Sequence, residues 1–465
     1  MRTTPSPRFS ARARQLAVLG SLVFHSLLVV PAAAQQPAPV ESLPAPAQPA
    51  PAPPRPADSA APVDSAAPVS SPIPPAGAPE LAPAAPAPEP EKPSHFFDHI
   101  GVRGYTQVRY NQLFANNERL VNLQGDRSVG QNAGLLIRRA RLVLSGDLHP
   151  QVAMYLQTDA AASSGDNLHY VQIRDWYFDV ALDTDKEFRF RVGQSKVPYG
   201  FENPQSSQNR LPMDRSDALN SAVAGERDLG VFFYYAPKDV RRAFKHLIDS
   251  GLKGSGDYGM VGLGVYEGQT INLTDTNKGK HVVARVSYPF QIGGQYLEAG
   301  VSGYTGKYVV RTDAGIVSTP NGIRDARAVA HFVIYPQPFG LQLEYNLGDG
   351  PEIDDIAPTT DEDGETEYTG VVRRKRLHGG YALASLKLDN VIPYVRAMYY
   401  EGGKKHERNA PRYDVREIEG GIEWQVLKAL EVTGAFTYAR RSDGGRIPYD
   451  LETGRLMRLQ VQFNY

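Results

Sequence analysis

From residue 96 onward the chain alternates. In Phe188-Arg189-Phe190-Arg191-Val192 the apolar side chains share one side and the arginines the other, because successive residues of an extended strand face opposite ways. The same period runs through residues 261–265, with apolar positions at odd numbers. Leu341, Leu343, Tyr345 and Leu347 alternate with Gln342, Glu344 and Asn346, and Ile418, Ile422, Trp424 and Val426 with Glu417, Glu419, Glu423 and Gln425. Such segments, about ten residues each and separated by turn residues, predict an antiparallel transmembrane β-barrel with lipid on the apolar face and a polar lumen on the other. A soluble sandwich also alternates, but its second face is less polar than this one. The chain ends in Leu459, Val461, Phe463 and Tyr465 on one face. An amphipathic last strand with an aromatic final residue resembles the signal read by outer-membrane assembly. Aromatic doublets near segment ends (Phe232-Phe233-Tyr234-Tyr235, Tyr399-Tyr400, Tyr177-Phe178) suit girdles at the two membrane interfaces.

The first 95 residues have another texture. Arg2, Arg8, Arg12 and Arg14 precede an apolar run at residues 16–30, followed by Ala32-Ala33-Ala34. This reads as a signal peptide over residues 1–34, since the run is shorter than the roughly 20 residues of a spanning helix. Residues 35–94 are nearly all Pro, Ala and Ser. They cannot bury enough apolar surface to fold, so they predict a disordered, extended linker. It is either inert or a periplasmic tether that touches peptidoglycan or a partner. The barrel domain is then residues 95–465, in the outer membrane of a Gram-negative-type cell, reached through the periplasm.

Composition narrows the function. The chain has 465 residues and no Cys, which excludes disulfides and thiolate metal sites. The net charge of −1 offers no basic domain for nucleic acid. Acid concentrates at residues 352–367, a predicted loop that is either a solvated face or a binder of divalent cations. No G-x-S-x-G, H-E-x-x-H or P-loop occurs, and the ten His lack metal-ligand spacing. Neither a cofactor nor an enzyme is expected; a hydrolase assembled across strands is the outlying alternative.

The candidate chemistry is cationic. Arg139 and Arg141 share a face in residues 138–144, and Arg103 and Arg109 in residues 102–111. With Arg189, Arg191 and Lys196 they line a pore that draws and coordinates anions, or else they pair with Asp159, Asp175 and Asp179. Alternation sends Arg138 toward lipid, where a charge costs roughly 2–4 kcal/mol at mid-bilayer; it therefore belongs at a rim, a bulge or a subunit interface. The long polar stretch at residues 201–228, with Asn203, Arg210, Arg215 and Arg227, is read as a constriction loop folded into the lumen rather than an external loop.

These residues resemble a known family. Ile137-Arg-Arg-Ala-Arg-Leu-Val-Leu-Ser-Gly146, Val192-Gly-Gln-Ser-Lys-Val-Pro-Tyr-Gly-Phe-Glu202, Gly225-Glu-Arg-Asp-Leu-Gly-Val231 and Leu456-Met-Arg-Leu-Gln460 are similar to the phosphate-selective porins O and P. The resemblance implies an all-β barrel of about sixteen strands, a homotrimer, and an arginine- and lysine-lined path to an eyelet for small anions such as phosphate. It places Arg138 and Arg139 at the constriction and Arg103 on the first strand. Asn203 stands where phosphate-specific members carry a lysine, while Lys196 and Arg141 replace aromatics. The expectation is an outer-membrane porin for passive diffusion, anion-preferring; the alternative is a structural or adhesive barrel.

Overall fold

The computed structural model describes residues 96–115, 134–164, 167–360, 366–443 and 450–465. The signal peptide and the Pro/Ala linker lie outside them. The strands are β1 (Ile100–Ala115), β2 (Gly134–His149), β3 (Val152–Ser164), β4 (Asn167–Ala181), β5 (Phe188–Lys196) and β6 (Arg227–Tyr235). Next come β7 (Val261–Tyr266), β8 (His281–Ile292), β9 (Gln295–Tyr308), β10 (Ile316–Val317), β11 (Ile323–Ile334) and β12 (Phe339–Thr360). The series ends with β13 (Thr366–Leu386), β14 (Val391–Gly403), β15 (Arg412–Leu427), β16 (Leu430–Asp443) and β17 (Asp450–Asn464). Apart from the two-residue β10, which pairs in parallel with β13, neighbours are antiparallel. β1 pairs with both β2 and β17, from Tyr105 opposite Asn464 to Ala115 opposite Gly454. The result is a closed 16-stranded antiparallel barrel with one extra strand. Closure satisfies every edge, the only way strands can cross lipid.

Alternation holds on the wall. Phe188, Phe190 and Val192 are exposed on the outside, whereas Arg189 and Arg191 are buried inside. Leu343, Tyr345 and Leu347 likewise face out against Gln342, Glu344 and Asn346. The aromatic doublets divide between the two sides. Phe178 and Tyr399 face the membrane, but Phe232, Tyr234 and Tyr400 are wholly buried in the lumen, so only part of each doublet serves a girdle.

One end of the barrel carries the long connections at residues 197–226, 267–280, 309–322 and 404–411. The other has short turns, except for residues 236–260, which hold α2 (Lys238–Asp249). This helix was not expected from the strand patterns around it, yet Val240, Phe244 and Leu247 recur at helical spacing and form its buried face. The segment beyond it crosses the lumen: Lys253 pairs at 2.5 Å with Glu423 of β15.

The acidic stretch was expected as a loop. Residues 352–360 are instead the end of β12 and residues 366–367 the start of β13. Bases of β13 meet the acids: Asp354 pairs with Lys375 at 2.7 Å and Asp355 with Arg373 at 3.1 Å. Residues 361–365 lie outside the described structure.

Candidate functional site: a cationic passage beside the lumen loop

The connection at residues 197–226 folds inward, and nearly all of it is buried. It includes the single turn α1 (Asp217–Asn220). Its apolar residues Val197, Tyr199, Leu211, Leu219 and Val223 pack on inward residues of β6–β9 and β13–β15, among them Phe232, Tyr266, Tyr304 and Tyr394. Burying each such side chain contributes about 1.5–3 kcal/mol. That part of the lumen is a packed core. The opposite wall, β1–β5 with β16 and β17, presents Gln107, Arg109, Arg139, Arg141, Gln157, Thr437, Arg458 and Gln460.

The loop is clamped where its motif reads Pro198-Tyr199-Gly200-Phe201-Glu202. Glu344 of β12 accepts the Phe201 and Glu202 amides at 2.6 and 3.0 Å. Ser302 Oγ accepts the Gly200 amide at 2.7 Å, and Arg285 donates to the Gly200 carbonyl.

Two loop carboxylates then gather the cations. Asp214 lies 2.7 Å from Arg109, 2.9 Å from Arg458, 3.2 Å from Arg138 and 3.4 Å from Arg139. Glu226 lies 3.1 Å from Arg210 and 3.5 Å from both Lys196 and Arg215, and also pairs with Arg227. Burial alone would raise the Glu226 pKa; Lys196, Arg227, Arg215 and Arg210 outweigh it and hold the carboxyl well below its usual range. For Arg215, burial outweighs Glu226 and lowers the guanidinium to about 10.

Arg138 enters this cluster through a bulge. The β1–β2 register steps from Gln107 opposite Arg139 to Val108 opposite Ile137, leaving Arg138 between rungs. Ile137 still faces lipid, and both Arg138 and Arg139 turn inward to Asp214. β4 repeats the device: Gln157 opposes Asp175 and Thr158 opposes Ile173, so Arg174 is the extra residue. Arg174 points in and donates to the Gly225 carbonyl at 3.1 Å. It makes no ion pair among the described residues. The sequence reading missed it because strict alternation sends it to lipid.

Between the loop and β2–β4 lies a polar cavity of about 560 Å³. Its lining includes seven arginines (138, 139, 141, 174, 210, 215 and 311) against three carboxylates, Asp159, Asp214 and Glu226.

The other predicted residues have different surroundings. Arg141 is held by Asp159 at 2.9 Å and donates to Tyr105 and Ser207. Arg227 pairs with Asp175 at 2.8 Å. Arg191 forms a two-pronged pair with Asp179 at 2.7 and 2.9 Å, and Arg189 pairs with Asp257 at 2.7 Å. Both arginines lie outside the cavity lining. Arg103 is exposed toward the short-turn end, 5.8 Å from the Tyr155 ring centre. Lys196 gives its protons to the Pro204 and Gln205 carbonyls at 3.1 and 2.7 Å. Asn203 is wholly buried, bridging the Val197 and Glu226 carbonyls and accepting from Arg215 at 2.5 Å. Lys196 and Asn203 thus sit where the loop is fastened.

A sequence profile described as phosphate-selective porin O and P matches residues 118–465. The chain belongs to that family. It is therefore an outer-membrane porin, and its family and fold are those of a channel rather than an enzyme. Among solved structures, Salmonella typhi OmpF in complex with daunomycin is similar at TM-score 0.50 and 10% identity, over 79% of this chain and 97% of that one. An anion-selective porin from Comamonas acidovorans gives 0.46 at 11%, over 79% and 99%. Vibrio cholerae OmpT in its trimer form gives 0.43 at 11%, over 79% and 100%. At such identity the OmpF likeness speaks for the barrel fold alone. No curated protein sequence matches.

Proposed function

We propose that this porin is an anion-preferring diffusion pore whose selective stretch is the cavity between the lumen loop and β2–β4. One observation carries the reading: seven arginines face three carboxylates there, a local cationic surplus in a chain whose net charge is −1. A confined, partly dehydrated cationic passage concentrates anions and repels cations. Arg138, Arg139 and Arg174 are its main contributors, with Arg210 and Arg215 on the facing loop. Phosphate and similar oxyanions fit the paired guanidinium donors. The fastening roles of Lys196 and Asn203 favour selection by charge over dedicated phosphate recognition.

The same reading includes a homotrimer, export by a signal peptide at residues 1–34, and residues 35–94 as a periplasmic tether reaching peptidoglycan or a partner. Planar-bilayer recording of refolded residues 35–465 in a KCl gradient, titrated with phosphate, tests the pore. Stepwise currents with an anion-sided reversal potential support it. Currents without preference make it a general porin, and no currents leave a structural or adhesive barrel.

A further inference from the structure

On the outer wall, β13 turns Gly380, Ala382 and Ala384 to the membrane in succession. Larger residues flank them: Leu343 opposes Ala382 and Tyr345 opposes Gly380 on β12, Tyr399 opposes Gly380 on β14, and Ile418 of β15 lies beyond Ala397. The result is a concave, almost wholly apolar groove of about 770 Å³, with Ala382 and Ala397 side by side in it.

At the groove's upper edge the surface becomes cationic. Tyr399 opposes Arg416, and Arg416 opposes Arg440 directly. Arg455 of β17 stands one row lower, opposite Tyr438. All three arginines are exposed on the outer face. Among the described residues Arg440 and Arg455 make no ion pair, and Arg416 has only the exposed Asp414 at 3.4 Å.

Like charges directly across a ladder are destabilising. At the edge of an apolar band such exposed guanidiniums cost little against the membrane, and an anion between them relieves their mutual repulsion. Height fits that anion. On β15 the membrane-facing residues from Trp424 through Ile422 and Ile418 are apolar up to Arg416. Eight residue steps of a tilted strand cover about 20 Å, close to the apolar band of a barrel. Arg416 and Arg440 therefore stand at headgroup level on the long-loop side.

We infer that this groove and arginine set form a docking site for a phosphorylated, multiply acylated lipid of the outer leaflet. One acyl chain lies along Gly380, Ala382 and Ala397, and the headgroup phosphate bridges Arg416, Arg440 and Arg455. The occupant is chosen by charge: an apolar groove alone would take any chain, whereas the arginines select a phosphate. The inference rests on the long-loop end facing out of the cell, and is independent of ion preference in the pore.

The test uses the complete mature chain in phosphatidylcholine vesicles doped with bis-phosphorylated lipid A, with bound lipid counted by native mass spectrometry after mild detergent extraction. Replacing Arg416, Arg440 and Arg455 together by alanine weakens retention about ten-fold, the scale of losing charge-assisted hydrogen bonds. Ala397→Leu, which fills the groove and keeps the arginines, weakens it as well. Chemically dephosphorylated lipid A is retained by the unaltered chain no better than by the triple variant. Heat-modifiable gel migration and unchanged conductance show that the variants fold. Equal retention of both lipids overturns the proposal. So does an Ala397→Leu variant that retains lipid but loses its oligomer, because the groove would then belong to a second copy.

Discussion

Asp214 of the lumen loop and Arg458 of the last strand are 244 positions apart and meet in a 2.9 Å ion pair. The pair latches the loop across the polar lumen to the strand that closes the barrel. Arg109, Arg138 and Arg139 converge on the same carboxylate. Removing one side of a buried ion pair costs about 3–5 kcal/mol. Asp214→Asn is therefore expected to free the loop, seen as faster proteolysis within residues 197–226. It also raises anion preference and open-channel noise in single-channel recording, since four guanidinium groups lose their counter-charge.

The two bulges make a contrast that alternation alone does not. Arg138→Ala with Arg174→Ala is expected to lower the anion-to-cation permeability ratio several-fold, read from the reversal potential in a salt gradient. Arg189→Ala leaves that ratio nearly unchanged, because Arg189 is matched by Asp257 outside the cavity. Equal effects from the two changes contradict the placement of the selective stretch.

Acid should act on the loop through Glu226. Its folded-state pKa lies below the ordinary carboxylate value, so the folded protein binds this proton less readily than the unfolded chain. The stabilisation is complete above about pH 4.3 and is lost as pH falls through the folded value. Glu226→Gln removes it at every pH. The difference in denaturant midpoint between the two proteins should be flat from neutrality to about pH 5 and shrink below pH 4.3. A difference that changes near neutrality would falsify the assignment.

Gly200 has φ +68°, and a methyl added there would meet Glu344 Oε1 at 2.0 Å. The left-handed conformation strains any side chain by about 1–3 kcal/mol. The displaced carboxylate is also the acceptor for two loop amides. Gly200→Ala should leave a heat-modifiable barrel but replace its discrete conductance level by several. Gly294, also left-handed at φ +87° but with nothing near its Cβ position, is the control that carries the backbone strain without the clash.

Much of the wall was legible because a strand writes its two faces at a period of two, as in residues 188–192. Legibility failed where one residue breaks that count. Arg138 stands out in sequence, because alternation sends its charge toward lipid and a bulge is one way out, whereas Arg174 gives no such sign; the ladder shows that each is an inserted residue turned to the lumen. The loop's inward path could be read from its length and polarity. The partners of Lys196 and Asn203 could not, because carbonyls of the same loop bind them and no spacing encodes that. The helix at residues 238–249 carries its own periodic signal in Val240, Phe244 and Leu247, but only one such face in a chain otherwise patterned at a period of two. Arg458 sat in plain alternation between Leu456 and Gln460, and gains its meaning only from Asp214 in a distant loop.

The eccentric lumen separates two kinds of evolutionary change. The apolar loop residues and the wall of β6–β9 and β13–β15 carry the packing that holds the loop. In the proposed pore, the wall of β2–β4 carries much of the charge met by a permeating ion. On the second wall Arg174, which makes no ion pair among the described residues, can change with little penalty to folding. Arg138, Arg139 and Arg141 instead pair with Asp214 and Asp159, so changing them tests architecture and selectivity together. Arg174 is thus a position at which lineages can explore selectivity on a scaffold whose assembly is secured by other residues.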